Sequence, residues 1–325
     1  MVLMLSELPI LLESRYGIIA KSIAPTKGGF SSKAAYCVVG ADGAEYFVKV
    51  YDKSLPTTMF NVNRVDLYMP VLDWLSKTTP LRGCVLTPIS TQEGVYKVET
   101  DNDVYVAFLF VHGEPPGIQG MTRAQTVELA GILASLHDIS ETIPFNTQGL
   151  AEDVSLPFCD RLIQYINDVS GVNGKDGALS AVVSPHASLL LAASSEALQL
   201  RDAYRMGYAP IVLCHGDAHG NNVIQSDHLV LADWEDLRWA PAEADLFIYD
   251  WHPYGDVLLD AYAEARHGYR INNKLLYFYV LRRRIEDVWV DIQRLTEESP
   301  DETETAKLLD YVRRGIESVR EAYRG

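Results

Sequence analysis

The first third of the chain alternates apolar and polar residues with the period of β-strands. Residues 18–51 fit a strand, a turn-rich loop at 26–33 and a second strand at 34–39. Ala-Asp-Gly at 41–43 marks a hairpin turn, and residues 46–51 resume the alternation. We therefore expect an antiparallel sheet near the start of the fold.

Three further apolar segments extend this sheet, at 84–89, 95–98 and 104–111. The last of them passes from a strand into a Gly/Pro-rich connector, FVHGEPPG, which is a natural point for a boundary between domains. The length of 325 residues also favours two domains. We place the first domain at 1–110 and the second at 111–325.

Apolar residues three and four positions apart predict helices in both domains. Residues 60–76 have this spacing, with Pro70 as a potential kink or break. A second helix covers 122–137, where Thr122 and Gln125 fit a capping box at its beginning. Both helices carry one apolar face, which is typical of helices that pack on a core.

Helical patterns dominate the second domain. Residues 150–207 are helix-like except for a polar loop near 170–177, and two long helices with regular apolar faces close the chain, at 278–295 and 309–323. A sheet-containing first domain and a mostly helical second domain predict an α+β protein.

One stretch between these helices, from Leu213 to Asp233, combines short strands with polar side chains at their ends. An apolar strand leads into His-Gly-Asp, so that Asp217 follows a strand, and Asn222 comes five residues later. The run 229–232 then leads directly into Asp233. Phosphoryl transfer uses such a set, with one Asp at the attacking hydroxyl and an Asn and an Asp on Mg²⁺.

The same residues also have a purely structural interpretation. Asp217 and Asn222 could form only Asx-turns, and Asp233 could merely end a strand, because a lone D-x4-N spacing is a weak signal. The whole phrase, HGD-x4-N followed by a strand and an Asp, is more specific than any part of it.

The loop before the second strand provides a candidate phosphate site. Gly28 and Gly29 would let backbone N–H groups approach a phosphate, and Lys49 on the following hairpin could reach phosphate oxygens. A surface hairpin with a solvated lysine is the alternative. Neither G-x4-G-K-[ST] nor G-x-G-x-x-G occurs in the sequence, which removes the main support for P-loop and Rossmann folds.

Composition and charge narrow the classes of partner. The chain has 44 Asp and Glu against 28 Lys and Arg, a formal net charge of −16, which repels nucleic acid and anionic lipid and attracts cationic ligands. The N-terminus predicts a helix and no signal peptide. We therefore expect a cytoplasmic protein without nucleic-acid or membrane partners, with reduced thiols at Cys37, Cys84, Cys159 and Cys214.

Taken together, these motifs resemble the aminoglycoside phosphotransferase family, whose members are small-molecule relatives of protein kinases. The resemblance covers essentially the whole chain, and it is closest to the spectinomycin phosphotransferase branch in the phrases RYGI, FVHGEPPG, LCHGDAHGNNV, ADWEDLRWAPAEADLF and RRRIEDVWVDI. It implies a two-lobed protein-kinase-like fold, with a small antiparallel sheet and a helix in the N-lobe and a larger, mostly helical C-lobe.

The resemblance also implies roles for individual residues, with ATP and Mg²⁺ as cofactors. Asp217 would orient the acceptor hydroxyl or take its proton, and Asn222 and Asp233 would bind the metal. Nucleotide contacts would come from the glycine loop, the strand lysine and the hinge backbone, namely Gly28, Gly29, Ser31, Lys49, Leu109, Phe110 and Val111. Asp66 is the best match to the Glu that holds the lysine in the family, and a solvated Asp on this helix is the alternative interpretation. Asp245 is expected to brace the catalytic loop.

The acceptor is expected to be a small-molecule alcohol that carries positive charge, such as an aminoglycoside or aminocyclitol antibiotic. Acidic and aromatic residues after Asp233 would line its pocket, namely Asp250, Trp251, Glu286, Asp287 and Trp289. A solvated acidic face is the alternative interpretation of these residues. A metabolic alcohol kinase, of the choline or homoserine type, is a second candidate function, and a catalytically inactive nucleotide-binding module is a third.

Overall fold

A computed structural model describes residues 2–28, 32–78, 80–170, 177–207 and 209–324 of the chain. It divides into two compact units. Unit 1 comprises Met1–Ala151, Val212–Trp239 and Trp251–Tyr269, and unit 2 comprises Glu152–Ile211, Ala240–Asp250 and Arg270–Gly325. The boundary that the sequence suggests at 110/111 lies within unit 1 and remains a prediction.

Unit 1 contains an antiparallel sheet of six strands: β1 (Ala20–Thr26), β2 (Ala34–Gly40), β3 (Glu45–Asp52), β4 (Pro88–Ile89), β5 (Lys97–Glu99) and β6 (Asp103–Leu109). Their order is β1-β2-β3-β6, and both β4 and β5 pair with the outer edge of β6. The β2–β3 hairpin turns where the sequence predicts it. The last two apolar segments are strands over fewer residues than expected, and the first contributes only the two residues of β4.

The alternation along β3 decides which side chains reach the site. Val48 and Val50 are fully buried in a cluster with Leu8 and Leu12, which come from helix α1 (Val2–Leu11) and the π-helical turn after it. Because successive strand residues point to opposite faces, Lys49 lies on the face away from this cluster, as does Tyr51. One face of the sheet is therefore fixed by apolar packing, and the opposite face carries the polar side chains of Lys49 and Tyr51.

Three longer helices complete unit 1: α2 (Pro56–Lys77), α3 (Arg123–Ile139) and α8 (Gly255–Ala265). The α2 helix continues through Pro70, where Tyr68, Met69 and Val71 are buried and packing offsets the lost hydrogen bond. The α3 capping box is confirmed, since Thr122 accepts from the Gln125 N–H and the Gln125 side chain accepts from the Thr122 N–H. The short strands β7 (Val212–Cys214), β8 (Val223–Gln225) and β9 (Leu229–Leu231) also lie here, and β10 (Arg238–Ala240) begins in this unit.

Unit 2 is helical, with α4 (Pro157–Ser170), α5 (Ala178–Val183), α6 (Ala187–Met206), α7 (Glu243–Leu246), α9 (Asn273–Glu297) and α10 (Glu302–Ala322). The predicted apolar faces of the last two helices are buried, as the buried residues Leu281, Ile285, Val312 and Ile316 illustrate. The two helices pack against each other, and α9 also contacts α6. These contacts explain why both helices keep a regular apolar stripe.

The stretch Ala178–Met206 has the length and hydropathy of a membrane span by composition alone. A 3-10 turn at Ser184–His186 interrupts it, and Leu190, Ala193 and Ala197 are buried within unit 2. A helix of a globular unit can pass the same compositional test, and α6 packs against α9 within unit 2.

Candidate active site

Lys49 occupies a buried position on β3, with a relative exposure of 2%. Its ammonium Nζ lies 3.0 Å from Asp233 Oδ1 and 2.5 Å from Glu235 Oε1. Burial by itself would lower the pKa of Lys49, but the charges of Asp233 and Glu235 raise it, and the net direction is upward. The lysine is therefore held as a cation on the polar face of the sheet.

Asp233 follows strand β9 in a left-handed backbone conformation, with φ 56°. Aspartate is one of the few residues that visit this region, and such conformations cluster at functional sites because the surroundings must enforce them. The chain turns here into a short 3-10 helix, Trp234–Asp236. The indole of Trp234 is buried, and its N–H donates to the Leu231 carbonyl at 3.0 Å. The turn directs the Asp233 carboxylate toward Lys49.

The α2 helix secures the same turn from another direction. Its Arg64 donates from Nε to the Glu235 carbonyl at 2.9 Å and from Nη2 to the Leu237 carbonyl. Burial lowers the pKa of Arg64, while the nearby Asp236 acts to raise it. A charged group thus caps two backbone carbonyls that follow Asp233, which fixes the path of the chain there.

Asp217 and Asn222 are brought together by the loop between β7 and β8. The Asn222 Nδ2 donates at 2.9 Å to both the backbone carbonyl and the Oδ2 carboxylate oxygen of Asp217. The backbone carbonyl of Asn222 accepts a hydrogen bond from the Ala232 N–H at 2.9 Å, which ties this loop to the residue before Asp233. All three candidate phosphoryl-transfer residues therefore belong to one hydrogen-bonded assembly within unit 1.

His215 links the loop to the end of β9. Its Nε2 donates to the Ala232 carbonyl at 2.9 Å, while its Nδ1 accepts from the Asp217 N–H at 3.2 Å. These two contacts require the neutral tautomer with the proton on Nε2. The ring is fully buried and packs on Trp234 with 4.5 Å between centroids, so that it fixes Asp217 relative to Asp233.

Gly216 is the position in this loop that requires a glycine. Its φ is +87°, and an added Cβ would lie 2.6 Å from the Asp236 carbonyl oxygen. The loop before Asp217 therefore approaches the turn after Asp233 more closely than any side chain would permit.

His219 makes a further contact with Asp217. Its Nε2 lies 3.5 Å from Asp217 Oδ2, and its Nδ1 accepts from the Asn221 N–H at 3.3 Å. The Nδ1 contact directs the Nε2 proton of the neutral ring at the carboxylate. Asn222 and His219 thus approach the same oxygen of Asp217.

On the nucleotide side, Gly28 lies in the loop between β1 and β2, where an added Cβ would come within 2.1 Å of Ser32 Oγ. Gly29 and Ser31 lie outside the described residues. In the hinge, the Leu109 N–H donates to Thr87 and the Phe110 N–H donates to Glu45, both at 2.9 Å. Within the described residues the Val111 N–H makes no hydrogen bond, so Val111 is the hinge donor still able to meet an adenine edge.

The predicted ion pair between Asp66 and Lys49 is not formed among the residues that the structure describes. Asp66 lies on α2 with its side chain 58% exposed, and it pairs with Lys97 at 2.9 Å. The carboxylates that hold Lys49 come instead from Asp233 and Glu235. The side chain of Asp66 is short and exposed. It therefore pairs with a lysine on strand β5 and not with Lys49 on β3.

The acids predicted to bind the acceptor each lie beside an arginine of α9. Asp250 pairs with Arg284 at 2.7 Å, and Asp287 pairs with Arg283 at 2.8 Å. Glu286 is 4.0 Å from Arg282, whose other carboxylate partner is Glu152. Charge in this part of unit 2 is therefore more balanced than the acids alone suggest.

The two predicted aromatic residues have different surroundings. Trp289 is buried on α9, and the Arg161 guanidinium lies 5.7 Å from its ring centroid, an arrangement that favours cation–π attraction. Trp251 belongs to unit 1, where its carbonyl accepts from the Gln119 side chain at 2.9 Å. Asp245 is fully buried at the end of unit 2's short helix α7.

The donor set around Asp217 and Asp233 suits magnesium. With its Nδ2 used by Asp217, Asn222 presents its carboxamide oxygen as the remaining polar atom, and Asp233 contributes a carboxylate. Hard oxygen ligands of this kind bind Mg²⁺, whose other positions are filled by water and phosphate. These two residues could hold the ion beside the lysine.

The sequence patterns indicated no role for Glu235, Arg64 or His219 of this assembly. The phrase Asp-Trp-Glu offered a signal for Glu235, because it places a second acid two residues after Asp233. His219 stood inside the motif HGDAHGNN, where only its neighbours were interpreted. No local pattern marks Arg64, since its carbonyl partners are about 170 positions away.

Comparisons with known proteins identify the family and the fold of this chain. The sequence profile of the family described as "Phosphotransferase enzyme family" matches residues 22–274. No curated protein matches by sequence. A crystal structure of spectinomycin phosphotransferase in complex with ADP and spectinomycin is similar, with a TM-score of 0.75 and 20% identity over 98% of both chains.

Two other solved structures share the fold at lower identity. An aminoglycoside phosphotransferase from Alicyclobacillus acidocaldarius has a TM-score of 0.58 at 16% identity, covering 95% of this chain and 92% of its own. A Plasmodium vivax ethanolamine kinase has a TM-score of 0.60 at 14% identity, covering 93% and 82%. The predicted α+β, protein-kinase-like fold is confirmed by these similarities.

Proposed function

Because the chain belongs to the phosphotransferase enzyme family, we propose that it transfers the γ-phosphate of ATP to a hydroxyl of a cationic small molecule, of the aminoglycoside or aminocyclitol (spectinomycin-like) class. One observation carries this proposal. Within unit 1, hydrogen bonds join Asp217 to Asn222 and Asn222 to the residue before Asp233, and Asp233 pairs with Lys49. Such an activity on an antibiotic would confer resistance in the cytoplasm.

Each residue has a distinct part in the proposed reaction. Asp217 accepts a hydrogen bond from the acceptor hydroxyl, orients its oxygen toward the γ-phosphorus and takes its proton as the new P–O bond forms and the bond from the γ-phosphorus to the bridging oxygen of ADP breaks. Lys49 neutralises charge on the nucleotide phosphates, and Val111 donates its N–H to the adenine edge. Mg²⁺, held by Asn222 and Asp233, would neutralise charge on the transferred phosphoryl group.

The chemistry of the acceptor is supported by the relatives and by charge. Proteins of this fold include a spectinomycin phosphotransferase and an ethanolamine kinase, and both named substrates are amino alcohols. The net charge of −16 favours a cation over an anion at long range. We propose that Asp250, Glu286 and Asp287, with Trp251 and Trp289, contribute to recognition of the amine.

The arginine pairs of unit 2 change what this recognition requires. An incoming ammonium group must share a carboxylate that already faces an arginine, such as Asp287 beside Arg283. Exposed ion pairs of this kind are weak, about 0.2–1 kcal/mol, so an ammonium can compete for the acid. Recognition would then depend on placement of the amine more than on net negative charge.

A screen for ADP release tests the function directly. Purified protein with Mg-ATP is offered aminocyclitols, aminoglycosides, macrolides, choline, ethanolamine, homoserine and neutral sugars, and mass spectrometry identifies any phosphorylated product. We expect the highest kcat/KM with an amino-bearing cyclitol. A best substrate among choline, ethanolamine or homoserine would instead establish a metabolic alcohol kinase, which the ethanolamine kinase fold supports as the second candidate.

A double variant tests the acceptor residues. Glu286→Gln with Asp287→Asn should raise the acceptor KM, leave the ATP KM unchanged and flatten the dependence of the acceptor KM on salt. Asp310→Asn is the matched control, because Asp310 forms the same i,i+4 pair with an arginine, on α10. An acceptor KM unmoved by the double change, or a best substrate without positive charge, would contradict this part of the proposal.

An inactive nucleotide-binding module is the third candidate. Such a module would bind ATP but would release no ADP with any acceptor. It would also show no slow hydrolysis of ATP in the absence of an acceptor. The presence of Lys49, Asp217, Asn222 and Asp233 in one assembly argues against it, because a module that only binds nucleotide has no need of Asp217.

A further inference from the structure

Glu235 is the acid most closely engaged with the proposed phosphate-binding lysine. It is buried at 8% exposure, and its Oε1 accepts from Lys49 Nζ at 2.5 Å and from the Tyr51 hydroxyl at 2.6 Å. Both donors come from the same face of β3, two residues apart. One carboxylate oxygen therefore receives two buried hydrogen bonds, an arrangement that strongly restricts where the lysine can lie.

The backbone of Glu235 is held as firmly as its side chain. The Arg64 guanidinium of α2 donates to the Glu235 and Leu237 carbonyls, and the preceding Trp234 is buried. The α2 helix thus contributes to the lysine site through a cation that fixes the loop, whereas its own acid Asp66 pairs with Lys97 at the sheet edge. The carboxylate that restrains Lys49 is delivered by the loop after Asp233.

We propose that Glu235 is the positioning residue for Lys49, and that the turn containing Asp233 also supplies the anchor of the phosphate-binding lysine. This inference rests on the proposed function. A carboxylate engaged with a divalent cation attracts a second cation less strongly, so Asp233 cannot serve Mg²⁺ and Lys49 equally. Glu235 faces Lys49 and Tyr51, and it keeps the ammonium in place when the nucleotide is bound.

The proposed metal ligand Asp233 and the proposed lysine anchor Glu235 belong to the same turn. They lie two residues apart, so any shift of that turn moves both groups together. Arg64 fixes the turn from α2, which links helix position to phosphate binding through the backbone of Glu235. The rival interpretation is that Glu235 is itself a ligand of the metal ion.

Calorimetry with ADP separates these interpretations in four proteins: the parent, Glu235→Gln, Lys49→Ala and the double variant. Loss of one charge-assisted anchor should weaken ADP binding by about 10- to 100-fold in Glu235→Gln. In the Lys49→Ala background the same change should have less than about a twofold effect, because there is no lysine left to position. Asp73→Asn, which removes an acid paired with Lys77 on α2, serves as the control and should leave ADP affinity unchanged.

Thermal unfolding provides a readout independent of nucleotide. Lys49→Ala leaves a buried carboxylate without its cation and should lower Tm, and adding Glu235→Gln should recover part of that loss. If Glu235→Gln folds poorly, Glu235→Asp retains the charge but withdraws it by one methylene, and a similar loss of ADP affinity is expected. Circular dichroism at 20 °C confirms folding of each protein.

Three results would overturn the proposal. The first is an equal loss of ADP affinity from Glu235→Gln in both backgrounds. The second is a loss from Asp66→Asn as large as that from Glu235→Gln, which would make α2 the source of the anchor. The third is a loss confined to measurements with Mg²⁺ and absent with ADP alone, which would make Glu235 a metal ligand. Failure of the parent to bind any nucleotide would instead refute the proposed function.

Discussion

Asp291 on α9 provides a sharp test of the electrostatics in unit 2. Burial, followed by the like charge of Asp287 four residues earlier, raises the pKa of Asp291 from its ordinary value of 3.8 to about 7, although Arg294 and Arg314 act to lower it. Folding therefore favours the protonated acid. Because the folded-state pKa exceeds the unfolded value, this group costs stability increasingly as pH rises from about 4 to about 7.

The substitution Asp291→Asn removes that cost. A shift of this size would correspond to about 4 kcal/mol if it were fully expressed, but the carboxyl is only partly buried, so we expect about 1–2 kcal/mol after solvent screening. The difference in unfolding free energy between the variant and the parent should be near zero at pH 4.5. It should grow through pH 6 and level off above pH 7.5. The gain arises because a neutral amide does not have to be desolvated as an ion.

Urea unfolding of both proteins at pH 4.5, 6, 7 and 8 measures this difference, with the slope of free energy against urea checked for constancy. Asp202→Asn is the control, since it neutralises an exposed acid paired with Arg201 and should change the free energy of unfolding only slightly. A gain that is equal at pH 4.5 and pH 8, or an Asn variant that is less stable at pH 8, would refute the reasoning.

Three further predictions concern the site in unit 1. Asp233→Ala should abolish Mg²⁺-dependent ATP binding in calorimetry, and Asn222→Ala should reduce that binding to a smaller extent. Tight Mg-ATP binding by Asp233→Ala would exclude Asp233 as the metal ligand. Lys49→Ala should raise the ATP KM by about 10- to 100-fold while sparing the acceptor KM, and an unchanged ATP KM in steady-state kinetics would contradict it. His215→Ala should lower the unfolding free energy by about 1–3 kcal/mol and reduce kcat, because the link between Asp217 and the end of β9 is lost. Parent-like urea unfolding of that variant would show that the link is dispensable.

Much of the fold follows from local pattern. The antiparallel hairpin, the capping box at Thr122 and the apolar faces of α9 and α10 all depend on residues within a few positions of each other. Short-range periodicity predicts such elements because burial selects one face of each. The segment at 84–89 was less predictable, since only Pro88–Ile89 joins the sheet and its other residues are in turns and loop.

The partners of the site residues depend on tertiary structure. Lys49 and Glu235 are 186 positions apart, and nothing near either residue indicates that they meet. Resemblance to a family suggested an acid on α2, but the exposure of Asp66 directs it to Lys97. In the same way, the acids near the end of the chain looked like a negative surface until α9 placed Arg283 and Arg284 beside them.

Asp217 is the residue proposed to orient and deprotonate the acceptor hydroxyl for phosphoryl transfer from ATP. The most direct test compares the parent with Asp217→Ala, measuring phosphorylated product by mass spectrometry and nucleotide binding by calorimetry on the same samples. We expect turnover to fall by about 10²- to 10⁴-fold while the Kd for Mg-ATP changes little, because this carboxylate meets the acceptor and not the nucleotide. Turnover of the folded variant close to that of the parent would contradict this role of Asp217.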